Sequence, residues 1–249
     1  MFSGREGVKK PYEGDDLAED YIQSRYGRDP FGRALHERQA RIVRKAVSRR
    51  QVQRLLEIAT GPARLTVYAT ATKLACGVEQ SAAMLRLAKA RLVEFGADDW
   101  RLMRGDAFSL PFSEDAFDFV MCFKLIRHFA RDNRLALLAE IRRVLRPGGY
   151  LLLDVANEPA TRWLHAKLGV TEQWIDDYWF TAGTFRAEMG DAGFRVDTMY
   201  PVHPAFRLQY YTWTRLWRRL PLAAQVVSRA LEVVTPREPL EWMTLCARE

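Results

Sequence analysis

Three carboxylates recur beside short apolar runs in this sequence. Glu57 lies in LLEI, which breaks into the small residues Ala59, Thr60, Gly61, Pro62 and Ala63. Glu79 ends LACGV about 20 residues later with Gln80 beside it, and Asp106 follows the next run with Ala107 and Phe108 as neighbours. Small residues in a strand-to-helix turn let a ligand approach the backbone, and helix N-termini favour electron-rich groups. A carboxylate at the end of a second parallel strand is placed to accept hydrogen bonds from both hydroxyls of a ribose, and an acid there suits an unphosphorylated one. Asp106 can accept from the amino group of an adenine. A fourth run, FDFVMC, exits through Phe123, Lys124, Arg127 and His128. Ligands of open parallel sheets lie at the carboxyl ends of the strands, so this exit faces the reacting end of the ligand. His128 is the candidate base, because a neutral imidazole can take a proton near pH 7. A histidine before an aromatic equally well caps or packs. Lys124 and Arg127 could hold an anionic group, whereas His165 and His203 are weaker candidates.

The elements that must position these residues alternate. Strands are expected over 54–58, 74–78, 100–103, 117–122 and 150–155, with helices from Arg64, over 80–92 and over 135–145 between them. The helix over 80–92 places Met84, Leu85, Ala88 and Leu92 inward. Arg146, Pro147, Gly148 and Gly149 read as a helix stop and tight turn. A helix over 184–192, a turn at Gly193 and a sixth strand over 195–202 follow, and 242–247 reads as an antiparallel seventh strand. Upstream, residues 1–16 form a tail. Helices are expected over 17–26 and 31–47, the second with Leu35, Ile42, Val43 and Ala46 on its apolar side.

Four ordered motifs resemble landmarks of one family, the class I S-adenosylmethionine-dependent methyltransferases, in particular the type 11, UbiE-like group. Glu57 with Ala59, Gly61 and Ala63 resembles the family's acidic-x-Gly-x-Gly-x-Gly loop, alanine standing at the outer two glycine places. GVEQSAAML, GDAFSLPF and RVLRPGGYLLLD resemble three further landmarks, and the likeness covers about 55–156. The resemblance implies an α/β, Rossmann-like seven-stranded, mostly parallel sheet with helices on both faces, an antiparallel last strand and helical lid elements. It implies S-adenosyl-L-methionine as cofactor, held by Glu57, Ala59, Gly61, Glu79, Gln80, Asp106, Ala107 and Phe123, with His128 catalytic. Residues 1–50 would be tail and lid helices, with Tyr21, Tyr26 and His36 as lid candidates. Residues 51–249 would be the methyltransferase domain, with a helical insertion at about 205–240.

Composition sets limits. The chain has 249 residues, 48% apolar and 28% charged, and no apolar run approaches the roughly 18 to 20 residues of a membrane span. The first 14 residues are too polar for a signal peptide, so cytoplasmic residence is expected. Cys76, Cys122 and Cys246 are widely spaced and read as buried thiols; no metal motif is present. The net charge of +7 is concentrated between Arg28 and Arg54, where nine basic residues face two acidic ones. Such a face attracts phosphate or is simply solvated. The stretch 210–234 is basic, rich in tryptophan and amphipathic, as for a peripheral membrane contact, a partner, a greasy substrate or its own domain. The acceptor is therefore expected to be a small or lipid-like molecule. A non-catalytic scaffold and an RNA methyltransferase are the alternatives, but the strand-four exit has no base-methylase motif and no added RNA-binding module is evident.

Overall fold

A computed structural model describes residues 30–71, 73–97, 99–169, 177–233 and 238–249. Its seven strands are β1 (Arg54–Ile58), β2 (Leu74–Glu79), β3 (Arg101–Arg104), β4 (Phe117–Cys122), β5 (Leu145–Ala156), β6 (Phe194–Val202) and β7 (Glu241–Arg248). They form one sheet in the order β3-β2-β1-β4-β5-β7-β6. β1 to β5 pair in parallel, while β7 runs antiparallel to both β5 and β6. Parallel strands covered on both faces are read as nearly continuous apolar runs, and β4, with Phe117, Phe119, Val120, Met121 and Cys122 buried, is such a strand.

Alternate residues of each strand serve two cores. One face packs against α1 (Pro30–Ser48) and α2 (Ala82–Glu94) through Val43, Ala46, Leu55, Ala88, Leu92, Phe119 and Met243. The other packs against α3 (Arg131–Val144) through Leu56, Val120, Leu137, Ile141 and Leu151; Phe185 and Met189 bring in a later helix, α5 (Ala182–Asp191). Between α3 and α5 runs α4 (Glu158–Leu168), which stops at Gly169 in the left-handed conformation, φ 64°. The connection from β6 to β7 carries α6 (Phe206–Tyr211), a π turn (Thr212–Leu216) and α7 (Pro221–Leu231).

The expected helix after the first loop is absent. Residues 61–65 are turns, followed by a single 3-10 turn at Thr66–Tyr68. Only residues 59–73 join β1 to β2, and they hold the β-branched Thr60, Thr66, Val67 and Thr70, which lose rotamer freedom in a helix. The Arg146–Gly149 turn also differs in setting, because β5 begins before it. Phe117 pairs with Leu145 and Phe119 with Tyr150, so the four intervening residues loop out as an irregularity within the strand. The three cysteines are free and buried in β2, β4 and β7.

Candidate active site

The loop after β1 takes the backbone shape of a three-glycine loop. Ala59, Gly61 and Ala63 all have positive φ, 56°, 56° and 57°. Glycine occupies this region freely, whereas alanine meets its own Cβ there. The Gly61 N–H donates to Glu79 Oε2 at 2.9 Å and the Ser81 N–H donates to Oε1 at 2.9 Å, so the carboxylate ends β2 facing the loop. Ser81 also caps α2, its hydroxyl accepting from the Met84 N–H at 3.3 Å. Close packing at this edge requires Gly77, since a Cβ there would lie 2.7 Å from Leu102 and 2.8 Å from the Thr60 hydroxyl.

Glu57 lies inside β1, one residue before its end, and the other residues expected at the site lie at or beyond the carboxyl ends of their strands. Asp106 follows β3, and its Oδ1 accepts from the Phe108 N–H at 2.9 Å. Ala107 and Phe123 are buried next to the ends of β3 and β4, and Gln80 is exposed, its carbonyl accepting from Arg104 at 2.9 Å. Glu57 is buried, accepts from the Thr66 hydroxyl, and is pushed up to about 8. Burial is the main cause, Glu79 adds to it, and Thr66 and Arg64 oppose it. His128 ends the 3-10 turn Ile126–His128, its Nδ1 2.9 Å from Asp177 Oδ1. Burial alone would raise the Asp177 carboxyl, but His128, Arg127 and Lys124 outweigh it and hold the group below its usual range.

The structure adds residues that the sequence motifs do not mark. A polar chain crosses the edge from the loop to β7. Arg64 donates to Gln39 Oε1 at 2.6 Å, Gln39 donates to Glu241, and Glu241 accepts from the Lys124 ammonium. That ammonium also lies 2.7 Å from Asp154 Oδ2, and the Lys124 backbone N–H donates to Asp154 Oδ1 at 2.5 Å. Arg127 completes the cluster, 3.4 Å from Asp154 and 3.8 Å from Glu241. Asp154 and Glu241 are both buried, and their charges are matched by the two cations. Burial opposes ionisation of Asp154, but Lys124 and Arg127 together hold its carboxyl below the usual range. Lys124 itself has φ 56°, an unusual conformation pinned by Asp154 at both ends of the residue. The available cue was a lone acid inside an apolar strand, Asp154 in LLLDVA and Glu241 before WMTLC.

The other histidines do different work. His203 is buried, stacks on Phe31 with ring centroids 4.4 Å apart, and is lowered to about 4 chiefly by burial. His165 lies edge-on to Trp179 at 5.0 Å. His36 lies 3.1 Å from Arg64 and 3.2 Å from the Tyr68 hydroxyl, lowered to about 4 by burial and then by Arg64, Arg91 and Arg44. The lid candidates Tyr21 and Tyr26 and the helix expected over 17–26 lie outside the described residues.

The edge therefore divides into two parts. Along the ends of β3, β2, β1 and β4 lie Glu57, Glu79 and Asp106 with the loops that follow them, and along the ends of β4, β5 and β7 lies the charged patch of Lys124, Arg127, Asp154 and Glu241. A methyltransferase domain model matches residues 55–149, the part that builds the first of these. Demethylmenaquinone methyltransferase from Streptomyces avermitilis is 28% identical over 251 residues, 91% of this chain and 97% of that protein. Its Bacillus velezensis counterpart is 34% identical over 83 residues, and there the matched stretch spans only 35% of the relative's length. Among solved structures, Synechocystis magnesium protoporphyrin IX methyltransferase with bound S-adenosylhomocysteine has the same fold, with a TM-score of 0.64 at 15% identity over 94% of this chain and 96% of that one.

Proposed function

The chain belongs to the class I S-adenosylmethionine-dependent methyltransferase family, and we propose that it transfers the sulfonium methyl group to a small-molecule or lipid-like acceptor. The observation that carries this reading is the loop in which Ala59, Gly61 and Ala63 share positive φ while Glu79 accepts from the Gly61 N–H. A loop of this shape would leave the backbone open to the amino-acid part of the cofactor, with Glu79 beside the ribose. Asp106 and Ala107 would border the adenine, and Gln80 and Phe123 would flank the nucleoside and the methionine portion. Glu57, neutral through burial, would keep the base of the loop from repelling the Glu79 carboxylate.

Transfer is an in-line displacement with an activated donor, so the protein's tasks are to align the acceptor, exclude water and, where the acceptor carries a proton, remove it. His128 is the proposed base, its imidazole oriented by Asp177. Lys124, Arg127, Asp154 and Glu241 would form the polar wall of the acceptor space. Residues 51–249 would make the transferase domain. The helices between β6 and β7 would roof it, and the stretch 210–234 would meet a membrane at its surface. Among the described residues no helix is long and apolar enough to cross one.

Calorimetric titration with S-adenosylmethionine and S-adenosylhomocysteine tests the cofactor site. Micromolar binding is expected, weakened about 100-fold in Glu79→Ala, the scale of losing two hydrogen bonds to a charged group. A folded protein that binds neither ligand would put the scaffold reading first, and unchanged affinity in the variant would remove Glu79 from the ribose.

A further inference from the structure

The helix α7 is built inside out for a helix on a water-facing surface. Only its small residues, Ala224 and Ser228, are buried against the protein. Leu222 and Val226 are 76% and 68% exposed, and Val233 just beyond the helix is 87% exposed. Spaced by four and seven residues, these three fall on one outward stripe, with Val227 beside it. Arg215, Arg218 and Arg219, all exposed, and the exposed Leu220 lead into the helix.

The opposite side of α7 closes a cleft of about 580 Å³ against the outer face of α1. Arg33, Arg41 and Arg44 of α1 and Arg229 of α7 line it, together with Trp213 and Trp217. Arg41 is paired with Glu232 at 2.7 Å and Arg44 lies 4.4 Å above the Tyr68 ring, whereas Arg33 and Arg229 make no ion pair among the described residues. Trp213 is 91% buried, and its indole N–H has no hydrogen-bond acceptor among the described residues. Glu37 and Glu232 also line the cleft, so four arginines face two carboxylates there, and His36, lowered to about 4 chiefly by burial, adds no charge at pH 7. A cleft whose four arginines outnumber its two carboxylates, with Arg33 and Arg229 outside any ion pair among the described residues, is matched to an anionic oxygen-bearing group.

We propose that this face docks on an anionic phospholipid surface, with a headgroup phosphate seated in the α1–α7 cleft and the outer stripe of α7 in the acyl layer. The proposal rests on the reading of 210–234 as a membrane contact and gives it a lipid class and a seat. An anionic bilayer meets the arginine-lined cleft and the apolar stripe together. A neutral bilayer would cover Leu222, Val226 and Val233 but leave the arginines unmatched, and a free phosphate would fill the cleft but leave the apolar stripe in water.

Co-sedimentation of the full chain with vesicles tests the idea, using phosphatidylcholine alone and phosphatidylcholine mixed with phosphatidylglycerol. Binding is expected to the mixed vesicles alone and to fall as salt is raised. Two double variants separate the parts, Arg33→Glu with Arg229→Glu and Leu222→Asp with Val226→Asp. Each should weaken binding about tenfold or more while circular dichroism and cofactor affinity stay as in the parent. If the arginine variant binds like the parent and the leucine–valine variant does not, the membrane contact stands and the headgroup seat is overturned. If the parent binds neither vesicle, both fall. If it is instead a dimer that the leucine–valine variant dissociates, the stripe is a self-association surface and the proposal is overturned.

Discussion

Ala59 holds a conformation that costs an alanine more than a glycine, and the difference is measurable. A left-handed φ costs a non-glycine residue roughly 1–2 kcal/mol. Substituting glycine removes that strain but gives back about 0.4–1 kcal/mol through the freer unfolded chain. Ala59 is half-buried, so its methyl contributes about half of the roughly 0.8 kcal/mol of a fully buried one. Ala59→Gly should therefore stabilise the fold by about 0.5 kcal/mol, which is about 1–2 °C in Tm at this chain length. Ala63 has the same φ but is fully buried, so the lost methyl cancels the relief and Ala63→Gly should be close to neutral. Ala59→Val, which forces a β-branched side chain into the same region, should lower Tm. Scanning calorimetry of the three variants without cofactor checks the order. A drop in Tm for Ala59→Gly together with tolerance of Ala59→Val would show that residue 59 is not left-handed in solution, and the three-glycine shape of the loop would go with it.

Three further outcomes follow from the charged edge. Glu57 is raised above its unfolded value, so its contribution to stability is complete below about pH 4.5 and is lost as pH rises towards about 8. Denaturant titrations should show stability declining across that window in the parent and a flatter profile in Glu57→Gln; identical slopes would refute the burial argument. Asp154→Asn leaves Lys124 and Arg127 with Glu241 as their one shared buried carboxylate and should cost about 1–3 kcal/mol, the scale of losing charged hydrogen bonds in a buried site, and no measurable loss would mean that the cluster is solvated. His128→Ala should leave cofactor affinity intact and slow turnover by about 100-fold or more on an acceptor that must lose a proton. Turnover equal to the parent's on such an acceptor would free His128 of that role.

Much of this fold could be read from the chain because its strands are buried on both faces and therefore appear as apolar runs. β1 and β4 occupy the residues expected for them, and β2 extends through Glu79. Glu79 and Asp106 were equally legible, since a residue just past the end of a run has its position set by the run itself. The Arg64–Gln39–Glu241–Lys124–Asp154 chain was not. Its members come from α1, the first loop, the β4 exit, β5 and β7, and only the strand order brings them together. The missing helix after Ala63 was misread for a different reason. The small-residue turn announced a helix, but the short connection and its β-branched residues left room for one 3-10 turn.

β7 enters the sheet against the direction of β5, so its first residue, not its last, stands at the ligand edge. Val202, the last residue of β6, pairs with Glu241, the first of β7, and the Leu240 N–H donates to the Val202 carbonyl at 3.1 Å. The connection that carries α6, the π turn and α7 leaves and returns at this hydrogen-bonded neck, and Arg41–Glu232 and Trp163–Phe206 tie it to α1 and α4. On the proposed reading this connection is the roof of the acceptor space, and its two ends already touch, so an exchange of it needs new partners only for the faces of α1 and α4 that it covers. On that reading a chimera joined at this neck would change the acceptor side and leave the loops after β1, β2 and β3 as they are.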